Sequence, residues 1–410
     1  VTISGAAEVL RPPEVGLPYL RLDRADELAA EPGSVTVADG RIAGFDASPG
    51  AELRIDATGC AVIPGFIDCH THLPFAGWRA QEYGQKIMGV PYEEIARSGG
   101  GIRSSARAFA AASDEEVLTQ ASRLADEMLA HGTTTFECKS GYGLSIEAET
   151  RALSLAGALR DHVSQEVSTT ALLAHAVPDG TDAGTWMAEV AARLPEILAA
   201  GEISALDIYV ESVAFDNSHL RTMGALAAAH GLDLRAHVEQ FNAHHSVPVA
   251  VEIGARSVDH LACMPAEEIE LLARSETAAV LLPGAEFLGD ERCAPARSLA
   301  DAGAIGVLAT DLNPGTSPVA SIPLAIGLAV RRYRWSAREA LLASTLNAAW
   351  VLRRSGDTGS LELGKRGDLL VLDGPIDAIA YRFGHNPVVI AIIAGEVVHV
   401  RPDSAWRIGR

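Results

Sequence analysis

The sequence predicts an α/β fold: a (β/α)8 TIM-like barrel with a small β-sandwich domain built from both chain ends. Eight short apolar or β-branched runs alternate with helix-like stretches through the middle of the chain, as parallel strands do with crossover helices. The eight units cover roughly 250–290 residues, a usual size for such a barrel. Both ends of the 410-residue chain are instead rich in short strands and turns. A doubly wound open sheet fits less well, because no Gly-x-Gly-x-x-Gly follows the first barrel run.

Residues 1–61 form the first part of the sandwich. The stretch 34–45 reads strand, Asp39-Gly40 turn, strand, a hairpin signal. Another short strand is expected at 53–56. The barrel is assigned to 62–349. Its strands are expected at 61–68, 133–138, 167–174, 205–211, 233–238, 256–260, 277–282 and 305–310. Helices rich in Ala, Leu, Glu and Arg are expected at 113–131, 146–162, 182–200, 218–230, 318–332 and 336–347. Residues 350–410 return to short strands at 368–373, 388–394 and 397–400, completing the sandwich.

Composition narrows the function. Fifty-three acidic residues against 33 basic ones give a net charge of −20. Phosphate backbones and anionic membrane surfaces need a basic face, so neither nucleic acid nor a membrane is expected as a partner. A small anionic substrate stays open, since one local arginine outweighs a distant field. Five scattered cysteines without Cys-x-x-Cys spacing read as thiols in a reducing compartment. Val1 to Pro13 has no basic, then apolar, leader pattern, so a soluble cytoplasmic protein is expected.

Barrel enzymes carry their chemistry at the C-terminal ends of the strands. Strand one here ends in His70-Thr71-His72, whose i, i+2 spacing sends both imidazoles to one face. Strand three ends at His175, strand four at Glu211, strand five at His237 followed by Glu239 and Gln240, and strand six at Asp259-His260. Strand eight ends at Asp311, then Asn313-Pro314-Gly315-Thr316. One such histidine is an ordinary buried imidazole; one on each of four strands is a site. Imidazoles with one carboxylate suit zinc or iron, whereas magnesium or calcium needs an oxygen cage.

These residues sit in longer motifs: Pro64-Gly65-Phe66-Ile67-Asp68-Cys69-His70-Thr71-His72, Arg79-Ala80-Gln81-Glu82-Tyr83, Lys139-Ser140-Gly141-Tyr142-Gly143 and Asp311-Leu312-Asn313-Pro314-Gly315-Thr316. In them the chain resembles the amidohydrolase superfamily, nearly end to end, and most closely the branch that opens an imidazolone ring in histidine degradation. The resemblance implies one divalent ion, Zn or Fe, on His70, His72, His237 and Asp311. It implies catalytic roles for His260 and Asp311 with the water, for His175 in polarising the carbonyl, and for Gln240. Its substrate contacts fall on Arg79, Tyr142, His175, Gln240, Asn313, Gly315 and Thr316. It implies a small heterocyclic substrate with a carboxylate, for which Arg79 offers a planar fork, and a homodimer. Lys139 is expected to be a salt-bridged loop residue. The chain departs from the family pattern at Trp78, Leu173, His245 and Glu286. Those departures predict an altered pocket wall, with Glu286 at its mouth, and keep open a hydrolase or deaminase of another nitrogen heterocycle. A silent barrel scaffold is the remaining alternative, against which all four ligand positions are filled.

Overall fold

In the computed structural model, which describes residues 1–90, 94–95, 98–289 and 292–409, eight parallel strands form the expected barrel. They are Phe66–Asp68, Thr133–Lys139, Glu166–Ala174, Ala205–Tyr209, Asp233–Val238, Ser257–His260, Ala278–Leu281 and Gly306–Leu308, hydrogen-bonded in chain order. The barrel closes just beyond its first and last strands. There Asp311 donates its backbone N–H to His70 (3.0 Å) and His72 donates to Leu312 (2.9 Å). Closure therefore sets Asp311 beside both histidines of strand one.

The strands are buried along their length, which is why their sequences read as near-continuous apolar runs. Capped helices cover them. Ser113 and Glu116 form a capping box on helix Asp114–Ala130, and the Ser145 and Asp182 side chains cap Ile146–Ala158 and Ala183–Leu198.

The two chain ends pair into one nine-stranded sheet, largely antiparallel. In it Thr2–Arg11 lies beside Ala29–Ala38 on one side and Ala61–Pro64 on the other, and Ala61–Pro64 pairs with Leu369–Leu372. The expected 34–45 hairpin is present, with Asp39 and Gly40 both at positive φ in its turn. The single strand expected at 61–68 is two: Ala61–Pro64 belongs to the chain-end sheet and Phe66–Asp68 to the barrel. The chain changes sheets at Gly65, where a Cβ would lie 2.1 Å from Thr134 Oγ1. No helix among the described residues is long and apolar enough to cross a membrane.

Candidate active site

His70, His72, His237, His260 and Asp311 converge at the C-terminal end of the barrel. Ligand atoms of His70, His72 and Asp311 lie within 4.8 Å of one another, as do those of His70, His237 and His260. Nε2 of His70 and Nε2 of His72 each stand 3.5 Å from Asp311 Oδ1. Nε2 of His70, Nδ1 of His72 and Nε2 of His237 are buried without a hydrogen-bond partner. Burial, reinforced by neighbouring positive groups, holds His70 and His72 well below the ordinary imidazole range; it pushes His260 down to about 3 even though Asp311 opposes it. These imidazoles are neutral at pH 7, the form that binds metal. Burial likewise raises the Asp311 carboxyl. Several turns here leave ordinary backbone space: Glu239, His260, Leu261 and Asp311 all have positive φ, a local cost that clusters at functional sites.

A lattice of buried charges lies under the histidines. Asp259 Oδ2 is 2.5 Å from His70 Nδ1, and Asp207 Oδ1 is 3.1 Å from His237 Nδ1. Arg235 donates to Asp259 (2.9 Å) and to Glu137; Lys139 donates to Asp207 (2.6 Å) and stands 3.0 Å from Glu137. Burial works against the Asp207 carboxylate, yet His237 and Lys139 hold it well below the usual range. Burial and Arg235 oppose the Lys139 charge, and Asp207 and Glu137 outweigh them. The donor set and the bare ring nitrogens fit one divalent ion.

Beside this cluster opens a cleft lined by His72, Arg79, Tyr142, His175, His237, Gln240, His260, Asp311, Asn313 and Thr316, with Ile102, Tyr209 and Phe241. Arg79 is held on three sides. Its Nη1 donates to Ser105 Oγ (2.9 Å), its Nε faces Glu82 Oε2 (3.4 Å), and its guanidinium lies over Gly315, where a Cβ would meet Nη2 at 1.7 Å. Glu82 also accepts from the Gly101 N–H. Tyr142 packs beside His72 and His175, with ring centroids at 5.8 and 5.3 Å. Its loop is tied down by Glu149, which accepts from the backbone of Gly141, Gly143 and Leu144.

Several expected roles change. Lys139 is the last residue of strand two, fully buried in the ion lattice, and is no loop residue. His175 Nδ1 lies 2.9 Å from the Gly141 carbonyl, so Nδ1 carries the proton. Burial and the adjacent His72 and His237 hold His175 well below its ordinary pKa. Its Nε2 is then an acceptor and is not suited to polarising a carbonyl by donation. Gly315 is not among the cleft-lining residues; its N–H goes to Asn313 Oδ1 (2.8 Å) and its bare Cα makes room for Arg79. The Asn313 side chain is spent locally, accepting from Gly315 and Thr316 and donating to Asp311 O and Thr316 Oγ1.

The four departures fall outside the cleft wall. Trp78 is exposed and packs edge-on against Phe75. Leu173 is core, its carbonyl accepting from Trp186. His245 sits at φ 54° before helix Ser246–Glu252, its Nδ1 on Glu268. Glu286 is not at the mouth: it is buried, accepts from Ala294 N, and burial pushes its carboxyl up to about 7. Glu211 likewise turns to His244 and Asn242. Sequence reading missed Glu137, Asp207, Arg235, Ser105, Glu149 and Tyr209. A signal existed for the first three: each is a charge inside a barrel strand, two residues before a residue that faces the barrel interior or the site.

The amidohydrolase family profile matches residues 61–398. The chain is 44% identical to the imidazolonepropionase of Rubrobacter xylanophilus over 378 residues, covering 89% of this chain and 90% of the relative. It is 43% identical to that of Deinococcus radiodurans over 350 residues, 85% and 87% of the two chains. Among solved structures, guanine deaminase of E. coli superposes with a TM-score of 0.71 at 15% identity, covering 98% of this chain and 99% of that one. A zinc-bound adenosine deaminase of Xanthomonas campestris gives 0.68 at 18%, covering 97% and 92%.

Proposed function

The chain belongs to the amidohydrolase family and, within it, to the imidazolonepropionases, and from that membership we infer that the histidine–aspartate cluster is the catalytic centre. The protein is a hydrolase of cyclic C–N bonds, converting 4-imidazolone-5-propanoate and water to N-formimidoyl-L-glutamate in histidine degradation. The observation that carries the assignment of the centre is His70, whose buried, partnerless Nε2 lies 3.5 Å from Asp311 and which belongs both to the His70–His72–Asp311 group and to the His70–His237–His260 group.

His70, His72, His237 and Asp311 hold one divalent ion, zinc or iron. Such an ion supplies Lewis acidity, bringing a water into nucleophilic range near neutral pH. Arg79 receives the propionate carboxylate, with Ser105 and Glu82 fixing its fork. Tyr142 and Thr316 line the path between that anchor and the reacting carbon. His175, with a bare Nε2, accepts a ring N–H of the substrate and so orients the heterocycle. Burial weakens His260 as a base and the neighbouring Asp311 carboxylate strengthens it; together they take a proton from the attacking water. The water oxygen bonds to the ring carbonyl carbon, the C–N bond breaks, and the same proton passes to the departing ring nitrogen. Gln240, on the cleft wall next to Phe241, completes the substrate contacts.

The family resemblance also favours a homodimer, checked by sedimentation. The substrate assignment is tested by following the imidazolone absorbance with purified, metal-loaded protein. Turnover is expected, and a metal-loaded protein that leaves the absorbance unchanged overturns the assignment.

A further inference from the structure

The inner layers of such barrels are usually filled with branched apolar side chains. Here charge fills part of the interior: Glu137, Lys139, Asp207, Arg235 and Asp259 are all 0–1% exposed. Hydrophobic residues of equal volume would avoid the desolvation cost of these groups. What the charges do instead is read from their connections.

Glu137 stands at the centre. Its Oε1 accepts from Arg235 Nη1 and from Thr170 Oγ1, and its Oε2 stands 3.0 Å from Lys139 Nζ. Each cation then holds one further carboxylate, Arg235 with Asp259 and Lys139 with Asp207. Each carboxylate takes the Nδ1 side of one histidine, Asp259 with His70 and Asp207 with His237. The result is two arms of the same charge order, acid–base–acid–imidazole, that share Glu137 at their base. Both arms end with Nε2 buried and partnerless. Backbone contacts tie the arms to strand one as well: Arg235 Nη1 donates to Cys69 O (2.7 Å), and Lys139 N donates to Thr71 O (2.9 Å).

We propose that Glu137 is a positioning residue for the metal centre, setting the orientation and tautomer of His70 and His237 together through Arg235 and Lys139. The proposal rests on the reading of His70 and His237 as ligands. Its physical basis is the pair of cations. Lys139 and Arg235 repel one another, and the Glu137 carboxylate between them offsets that repulsion and fixes both positions. A neutral group at 137 lets the two cations move apart and carries Asp207 and Asp259 with them. The imidazoles then lose the partners that hold Nδ1 protonated and aim Nε2 at the ion.

The test is zinc affinity of the apoprotein, measured by competition with a chelator, for wild type and Glu137→Gln. The thermal midpoint of each apoprotein is read separately. Glu137→Gln is expected to weaken zinc binding about tenfold, as the loss of an outer partner of a metal site does. Combined with Asp207→Asn or Asp259→Asn it is expected to cost less than the two single losses together, because the second change falls on an arm that Glu137→Gln has already broken. A folded Glu137→Gln protein with zinc affinity within about twofold of wild type overturns the proposal and leaves the lattice a purely structural element, whatever its apo midpoint. If Glu137→Gln does not fold, Thr170→Val is read in its place. It takes one hydrogen bond from Glu137, leaves every charge present, and is expected to weaken zinc about threefold; an unchanged affinity there is equally contrary. His70→Ala tests the ligand assignment separately: wild-type zinc affinity in that variant contradicts it.

Discussion

The two walls of the cleft are built in different ways. The metal-side wall stands on barrel strands, and His70 and His237 are each backed by a buried carboxylate that is itself held by a buried cation. The anion-side wall stands on loops: Arg79 precedes a short helix, Ala80–Ile87, and is placed by Ser105, Glu82 and the bare Cα of Gly315. The first wall fixes direction through charge inside a rigid barrel. The second fixes direction through shape, with an arginine threaded past a glycine. On the proposed reading chemistry belongs to the strands and substrate selection to the loops, so the two should be separable by mutation.

The largest expected effect breaks the strand wall. Asp311→Asn is expected to lose the bound ion, seen by elemental analysis, and all turnover with it. His260→Ala is expected to keep the ion and lower kcat by roughly 10²–10⁴, the usual worth of a positioned general base, with KM little changed. Arg79→Ala is next and strikes the loop wall. KM is expected to rise roughly 10- to 100-fold, the scale of a hydrogen bond to a charged group at about 1.5–3 kcal/mol, with metal content unchanged. Gly315→Ala sharpens the contrast. Gly315 is not at positive φ, so the added methyl acts by displacing Arg79; a raised KM with full metal content is expected. If Gly315→Ala instead lowers metal content, the walls are not separable.

The smallest effect belongs to Glu286, outside both walls. Burial raises its folded pKa to about 7 from an unfolded value near 4.3. The folded state then binds the proton more tightly than the unfolded state. Its burial costs nothing below the unfolded pKa, and the cost grows as pH rises from there to about 7 and is complete above it. Glu286→Gln is expected to leave kcat/KM unchanged and to raise the melting temperature more at pH 8 than at pH 5.

How much of this was visible in the sequence follows the same division. Eight apolar runs with helices between them specify a barrel, and the strand-end rule then selects His70, His72, His175, His237, His260 and Asp311 without any pairing information. Barrel closure, which the sequence does not print, is what sets Asp311 against strand one. The run 61–68 hides a change of sheet because apolar residues flank it on both sides; Pro64-Gly65 marks the break, and the close approach of Gly65 to Thr134 requires a glycine there. The inner lattice was legible in part, as charges at alternate positions of buried strands, but which acid meets which base depends on packing across the barrel from strand two to strand five. The loop wall was least legible. Glu286 stands five residues past the strand end at Leu281 and looks like pocket lining, yet it lies in helix Pro283–Gly289 with its carboxylate on Ala294 N. Trp78, adjoining Arg79 in sequence, packs on Phe75 and is not among the residues lining the cleft.

The most direct measurement is a titration of metal-free protein with zinc, following hydrolysis of 4-imidazolone-5-propanoate at each addition. One ion on His70, His72, His237 and Asp311 predicts activity that rises linearly and breaks at one equivalent per chain, with Asp311→Asn flat throughout. A break at two equivalents, or full activity in Asp311→Asn, contradicts it.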